Sequence, residues 1–421
     1  MLNSNGPVIT RRNLIAAGAL GGIAAAASGC DALTDSGIFP DNGNVTVWDH
    51  PAAQHGSAEE ETEPAPEPTA AERLMAAMTL ELKVAQLFIV TPEQLTGAST
   101  ATIAGGMTEQ ALAEFPVGGL IYFRKNLVRA EQVRNLLSGT RELCLKAGAG
   151  TAPFLSIDEE GGPLVARVAN CGLFDVERFP NMAEIGATGD PAQAAHVGET
   201  IGTYLREIGF NLDFAPIADV LTNPENTAIG ARSFSSDPEL AAEMVGAEVE
   251  AMLETGTLPC VKHFPGHGDT AGDSHTGAVY AERSREEIES CEFKPFIAAI
   301  EAGCPMVMVG HIETPNFAAD GLPASLSPFM MGDVLRGELG FTGVIISDSF
   351  GMGAITQNFS AAEAAVRYFE AGGDILLMTP NLREALPGVV AAVRDGRLSE
   401  ERIDESVRRV LELKERAGII S

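Results

Sequence analysis

Apolar residues along this chain follow two spacings. Short continuous runs occur at Leu87–Val90, Gly119–Phe123, Phe154–Asp158, Leu212–Pro216, Pro259–His263, Met306–His311, Val344–Asp348 and Ile375–Met378. Runs of this length bounded by turn residues predict strands covered on both faces. Between them, Ala130–Ala147, Pro191–Ile208, Pro238–Glu254, Ser284–Ala302, Ser360–Ala371 and Leu382–Val393 carry apolar positions at helical spacing. Asp190-Pro191 and Asp237-Pro238 give two of these helices a capping carboxylate followed by proline at the first helical position. Strands alternating with helices in this way predict an α/β fold, a single TIM-like (β/α)8 barrel rather than an open doubly wound sheet. Glu400–Ala417 reads as a closing amphipathic helix, with no second folded domain after it.

Residues 1–69 break both patterns. Thr10-Arg11-Arg12-Asn13-Leu14-Ile15 precedes a small apolar stretch, Ala16 to Ala27, that ends in Ser28-Gly29-Cys30. A charged start, a short apolar middle and small residues before a cleavage point describe a secretory signal. The stretch is too short and too rich in Ala and Gly for a transmembrane helix. The paired arginines resemble a twin-arginine export signal, and Ala27-Ser28-Gly29-Cys30 resembles a bacterial lipobox. Ala58-Glu59-Glu60-Glu61-Thr62-Glu63-Pro64-Ala65-Pro66-Glu67-Pro68 is acidic and proline-rich, with nothing to bury, and is expected to stay extended and solvated. The expected organisation is a lipoprotein signal peptide over residues 1–29, a lipidated Cys30 and disordered linker over 30–69, and the barrel over 70–421. The protein is then exported and held to the cell membrane by lipid, facing the extracellular or periplasmic side.

Charge narrows the partners. Acidic residues number 58 against 28 basic ones, a formal net charge of −30. Nucleic acid and anionic lipid surfaces call for clustered basic residues, so the folded part is expected to bind neither. Beyond Cys30, the scattered Cys144, Cys171, Cys260, Cys291 and Cys304 predict buried thiols, not a disulfide framework or a zinc site. No GxGxxG follows a strand and no GxxxxGK[ST] occurs, so dinucleotide and P-loop chemistry lack their usual supports.

Chemistry-bearing residues gather where the predicted strands end. Asp158, Lys262-His263, His311 and Asp348 all fall at or near C-terminal strand ends, the face that carries the active site in a (β/α)8 barrel. Asp348 directly follows a buried run and is costly there unless paired, hydrogen-bonded or used. It is either a nucleophile in a pocket or the N-cap of the next helix, and the residue alone leaves both open. Asp273-Ser274-His275 sets a carboxylate two residues from an imidazole, a catalytic arrangement if the acid fixes the tautomer and otherwise a surface pair. His263, His267 and His275 are spaced 4 and 8 residues apart across a Pro-Gly break. They form no helical ligand face and have no accompanying cysteine, so neither a metal nor another cofactor is expected. Arg167 follows Asp158-Glu159-Glu160-Gly161-Gly162, and Arg232 lies within Ile229–Phe234. Each suits a hydroxyl-rich ligand or a solvated salt bridge.

Together these pieces match a family. Lys262–His275 resembles the KHFPGHGDTxxDSH signature of glycoside hydrolase family 3, in its bacterial β-N-acetylglucosaminidase (β-hexosaminidase) branch. The agreement extends through Asp158–Gly162, Leu212–Pro216, Ile229–Phe234, Pro323-Ala324-Ser325-Leu326-Ser327, and Ser347-Asp348 followed by Met352, in the family's order. The resemblance implies a retaining exo-hydrolase that removes terminal N-acetylglucosamine from peptidoglycan fragments or related glycans. In it Asp348 matches the nucleophile, His275 the general acid/base and Asp273 its orienting partner, an imidazole replacing the usual second carboxylate. Asp158, Arg167, Arg232, Lys262 and His263 match positions that hold the sugar. The Asp158–Arg167 interval is one residue longer than the common pattern. Relatives of β-glucosidase type draw a glutamate from an additional C-terminal domain, which this reading does not place here. A β-glucosidase or glycoside phosphorylase on the same barrel is the alternative enzyme, and a non-catalytic sugar-binding lipoprotein the alternative of another class. A monomer is expected.

Overall fold

The computed structural model describes residues 67–148, 150–272 and 277–421. The export signal, Cys30, nearly all of the linker, and the Asp273–His275 pair lie outside those residues.

Strands β1 (Phe88–Val90), β2 (Gly119–Ile121), β3 (Phe154–Ile157), β4 (Leu212–Asp213), β5 (Leu258–Phe264), β6 (Met306–Val309), β7 (Val344–Ser347) and β8 (Leu376–Leu377) form one sheet. Each pairs in parallel with the next in the chain from β1 to β7, and β1 also pairs in parallel with β8. A parallel bridge between Ile346 and Ile375, with Ser347 N–H donating to the Ile375 carbonyl at 3.0 Å, joins β7 to β8 and closes the ring. This is the (β/α)8 barrel that the alternation of apolar runs predicts, with every strand read in place and trimmed or extended by one to three residues.

The strands read as continuous apolar runs because both of their faces are covered, the inner by neighbouring strands and the outer by helices. All seven residues of β5 are buried, two of them the ionisable Lys262 and His263. Gly119 is required by packing, since a Cβ there would sit 2.8 Å from the Cβ of Phe154 on the neighbouring strand. Helices Pro191–Ile208 and Pro238–Glu254 begin where the Asp-Pro pairs place them. Asp190 accepts from Ala192 N–H and Asp237 from Glu239 N–H, each supplying an otherwise orphaned helix-start donor. The closing helix Glu400–Arg416 packs on helix Ala70–Ala76, where Glu415 accepts from the Ala70 amide at 2.8 Å.

Three local features differ from the periodicity. The pattern over Ser284–Ala302 yields two helices, Arg285–Ser290 and Phe293–Glu301. Pro295 has no N–H to donate to the Cys291 carbonyl, so one continuous helix is broken there. Glu292 turns inward at the break and pairs with Arg283. Directly after β3 the chain doubles back in a hairpin pairing Glu159–Gly161 with Val165–Ala166, too short to leave an alternation signal. Between β6 and β7, Phe329–Glu338 winds as a π-helix that buries Met330, Met331, Val334 and Leu335. The five cysteines within the described residues are buried free thiols.

Candidate active site

The β3 exit and its hairpin sort three consecutive acids by direction. Asp158 and Glu160 line the cavity at the C-terminal mouth of the barrel. Glu159 turns away and accepts from Val168 N–H (2.6 Å), Ala169 N–H (2.9 Å) and the Tyr204 hydroxyl (2.7 Å). Burial outweighs those bonds and pushes its carboxyl up to about 7.

Lys262, near the end of β5, reaches across to the first two acids. Its Nζ lies 2.8 Å from Asp158 Oδ1 and 2.6 Å from Glu160 Oε1. Arg232, in the turn Gly230–Arg232, grips Glu160 through Nε and Nη2, both at 2.7 Å, and donates from Nη1 to the Ala228 carbonyl. A two-bond guanidinium–carboxylate contact fixes orientation as well as charge. Burial would raise the Glu160 carboxyl, but the Lys262 and Arg232 charges overcome it and hold it at about 2. Asp158 and Glu160 in turn keep Lys262 charged in spite of its burial and of the nearby Arg232.

Asp348 directly follows β7. Its amide donates to the Val309 carbonyl at 2.9 Å, and its Oδ1 accepts from Ser349 N–H at 2.6 Å. The next helix, Gly353–Thr356, starts from Met352, so the N-cap alternative for Asp348 does not apply. Burial raises its carboxyl, but His263, His311, the Ser349 amide and Lys262 together bring it below the usual carboxylate range. At neutral pH it is a carboxylate.

The remaining polar contacts frame these groups. His311 on the β6 exit holds Ser325 Oγ through Nδ1 (2.7 Å) and the Ser349 carbonyl through Nε2 (2.9 Å). His263 is bound through Nδ1 to Asp219. His267 lies edge-on to His263 and is held by Thr270, a place in the turn rather than in the cavity. Burial and the neighbouring His263 lower its basicity. The Arg167 guanidinium stacks over Phe123 at 5.4 Å, and its Nε is buried with no hydrogen-bond partner among the described residues. The peptide bonds Ala215–Pro216, Lys262–His263 and Phe264–Pro265 are cis.

Asp158, Arg167, Arg232, Lys262, His263 and Asp348 therefore share one cavity of about 480 Å³, with Ile121, Phe123, Met308, Met352 and Met378 as its apolar lining. That volume lies toward the small end of ligand sites, which run roughly 300–1,000 Å³. A charged floor and an apolar wall suit a compact ring with polar rim groups. Asp273 and His275 are outside the described residues. Glu160, Asp219 and His311 belong to the same network but were not among the site residues drawn from sequence. Glu160 and His311 stood in view, one inside a quoted motif and one at a strand end, but nothing in one dimension named their partners.

The closed barrel thus carries carboxylates and cations paired around a small cavity at its C-terminal mouth. The family model for the glycosyl hydrolase family 3 N-terminal domain matches residues 79–413, and the chain belongs to that family. It is 32% identical over 341 residues to beta-hexosaminidase A of Pseudoalteromonas piscicida, covering 75% of this chain and 56% of that protein. It is 35% identical over 277 residues to beta-hexosaminidase LpqI of Mycobacterium tuberculosis, covering 64% of this chain and 70% of that one. Among solved structures, a family 3 beta-N-acetylglucosaminidase from Paenibacillus superposes with a TM-score of 0.76 at 37% identity, covering 82% of this chain and 63% of that one. The chain thus spans somewhat over half the length of the Pseudoalteromonas relative and under two thirds of the Paenibacillus one.

Proposed function

We propose that the protein is a retaining exo-β-N-acetylglucosaminidase acting on peptidoglycan fragments or related glycans. The observation that carries the reading is Asp348, an ionised carboxylate on the wall of the small cavity that Lys262, Arg232, Arg167, Asp158 and His263 also line. The names of the relatives, β-hexosaminidases and a β-N-acetylglucosaminidase, supply the sugar.

In the first step one oxygen of Asp348 bonds to the anomeric carbon as the bond to the leaving oxygen breaks. His275, oriented by Asp273, gives that oxygen its proton. In the second step water attacks the anomeric carbon, yields a proton to His275, and releases Asp348. Lys262 and Arg232 hold Asp158 and Glu160 in place, so the sugar hydroxyls meet a preset polar surface and little reorganisation is left for the reaction. A 2-fluoro or 5-fluoro N-acetylglucosamine-type inhibitor should add one glycosyl mass to the protein, located on the peptide containing Asp348. Labelling elsewhere, or none alongside turnover of the glucosyl analogue, would reject the reading. Phosphate-dependent release would shift it to a phosphorylase.

The placement of the enzyme rests on the N-terminal sequence. Arg11-Arg12 and Ala27-Ser28-Gly29-Cys30 support export with lipid attachment at Cys30. Cys30→Ser should move the protein from the membrane fraction to the soluble one, and an unchanged distribution would contradict the anchor.

A further inference from the structure

We propose that Asp219 is a positioning residue that sets the tautomer of His263 and anchors the root of the loop leading to Asp273 and His275. The proposal deepens the N-acetylglucosaminidase reading and rests on it for its kinetic consequence. Asp219 lies beyond β4, where the parallel bridge Ile217–Lys262 and the bond from Ala218 N–H to the Lys262 carbonyl carry the β4 exit along β5. It is 1% exposed, so its carboxylate needs partners inside the protein.

The partners are divided between its two oxygens. Oδ2 faces His263 Nδ1 at 2.8 Å. Oδ1 accepts from the backbone N–H of His263 at 3.2 Å and of His267 at 2.6 Å. A carboxylate only accepts, so Nδ1 of His263 carries the proton. In the neutral ring Nε2 then has its lone pair available to the cavity. Lys262 beside it is donor-only. Adjacent residues of β5 thus offer one donor and one acceptor, which is the complement of neighbouring hydroxyls on a single ring.

The bonds to Oδ1 bracket the turn His263-Phe264-Pro265-Gly266-His267, which is closed on itself by Gly266 N–H to the His263 carbonyl. Beyond it, Asn226 Nδ2 holds the His267 carbonyl at 2.7 Å and the Thr270 carbonyl at 3.0 Å. Gly268 fits because a Cβ there would lie 1.9 Å from the Val220 carbonyl oxygen, next to Asp219 in the chain. One buried carboxylate therefore serves the sugar-holding imidazole and the start of the acid/base loop together.

The test is nitrogen-15 spectroscopy of the full chain labelled at histidine, with His263 assigned from the spectrum of His263→Gln. The wild-type neutral ring should carry its proton on Nδ1. Asp219→Asn presents an N–H to that nitrogen, so the proton should move to Nε2, and kcat/KM on an aryl N-acetyl-β-glucosaminide should fall about 10- to 100-fold. Asn226→Ala loosens the same loop without touching His263 and should keep the Nδ1–H tautomer. A wild-type ring protonated on Nε2, or an Asp219→Asn ring with an unmoved proton, overturns the proposal. The wild-type spectrum decides even if Asp219→Asn does not fold. Should the wild type leave N-acetyl-β-glucosaminides intact, the functional reading fails while the spectrum still judges the tautomer.

Discussion

The two ends of the barrel bury charge in opposite ways. At the N-terminal end, Asp374 ahead of β8 is contacted by Arg336 at 2.5 Å, Arg409 at 3.1 Å and Arg402 at 3.6 Å, with Ser406 Oγ at 2.6 Å and Ile345 N–H at 2.9 Å. Those groups come from the π-helix, β7 and the closing helix, so one carboxylate stitches three elements onto the last strand. Nearby, the fully buried Lys414 donates to the Gly118 carbonyl and lies over the Phe154 ring. At the C-terminal end, Asp158, Glu160, Lys262 and Arg232 are paired as tightly, but around an open cavity and beside an Arg167 whose Nε has no hydrogen-bond partner among the described residues. Buried ion pairs alone do not mark a functional site, since removing water from two charges costs about as much as their attraction returns. What separates the ends is that the charges at the C-terminal mouth line a cavity, whereas Asp374 is enclosed by its own partners.

Substitutions at each end sharpen this contrast. The largest effect belongs to Asp348→Asn, which should cut hydrolysis of an aryl N-acetyl-β-glucosaminide by about 10⁴-fold or more with the melting temperature nearly unchanged. Substantial residual turnover would remove Asp348 from its role. Asp374→Asn should do the reverse. Three guanidinium groups lose their counter-charge, so chemical denaturation should report a loss of about 3–5 kcal/mol, with kcat of the folded fraction preserved. A stable but inactive Asp374→Asn would erase the division of labour between the ends.

Arg167→Lys comes next. It loses the planar fork over Phe123, and kcat/KM should drop about 10- to 100-fold, mainly through KM, with little change in stability. A pure loss of stability would place Arg167 in the scaffold instead. The last effect is a slope that no activity assay would read. Burial holds Lys414 down to about 7, against about 10.4 in an unfolded chain. Below pH 7 both states carry the proton, and the penalty for burying the charge is present in full. Between about 7 and 10.4 the unfolded chain binds the extra proton, so stability rises with pH by up to about 1.4 kcal/mol per unit. Relative to Lys414→Met, the wild type should therefore gain stability as pH climbs through that window. Parallel denaturation profiles for the two proteins would show that burial does not depress the lysine and that it keeps its proton in the folded state.

The periodic parts of the molecule were legible in one dimension. The strand runs and the Asp-Pro helix starts work through neighbours in sequence or through burial on both faces, and both leave a local pattern. Pro295 shows how a single residue interrupts an otherwise sound pattern, since the helical spacing runs unbroken across a position that cannot donate. Motif and strand-end position point to Asp158, Arg167, Arg232, Lys262, His263 and Asp348, and the fold places them around one space. Glu159 and Glu160 look alike in sequence. The hairpin decides which of them meets Lys262 and Arg232 and which is buried against Tyr204.

The sequence by itself determined the barrel, its strand order and the family, because apolar period, turn chemistry and a long contiguous signature are all short-range information. Only the tertiary structure decided which charges are satisfied and which face a cavity. Lys262 is 104 residues from Asp158 and Asp219 is 44 residues from His263. Those contacts exist because ring closure brings the exits of β3, β4, β5 and β7 to one rim, and proximity created by closing a barrel leaves no trace in local spacing.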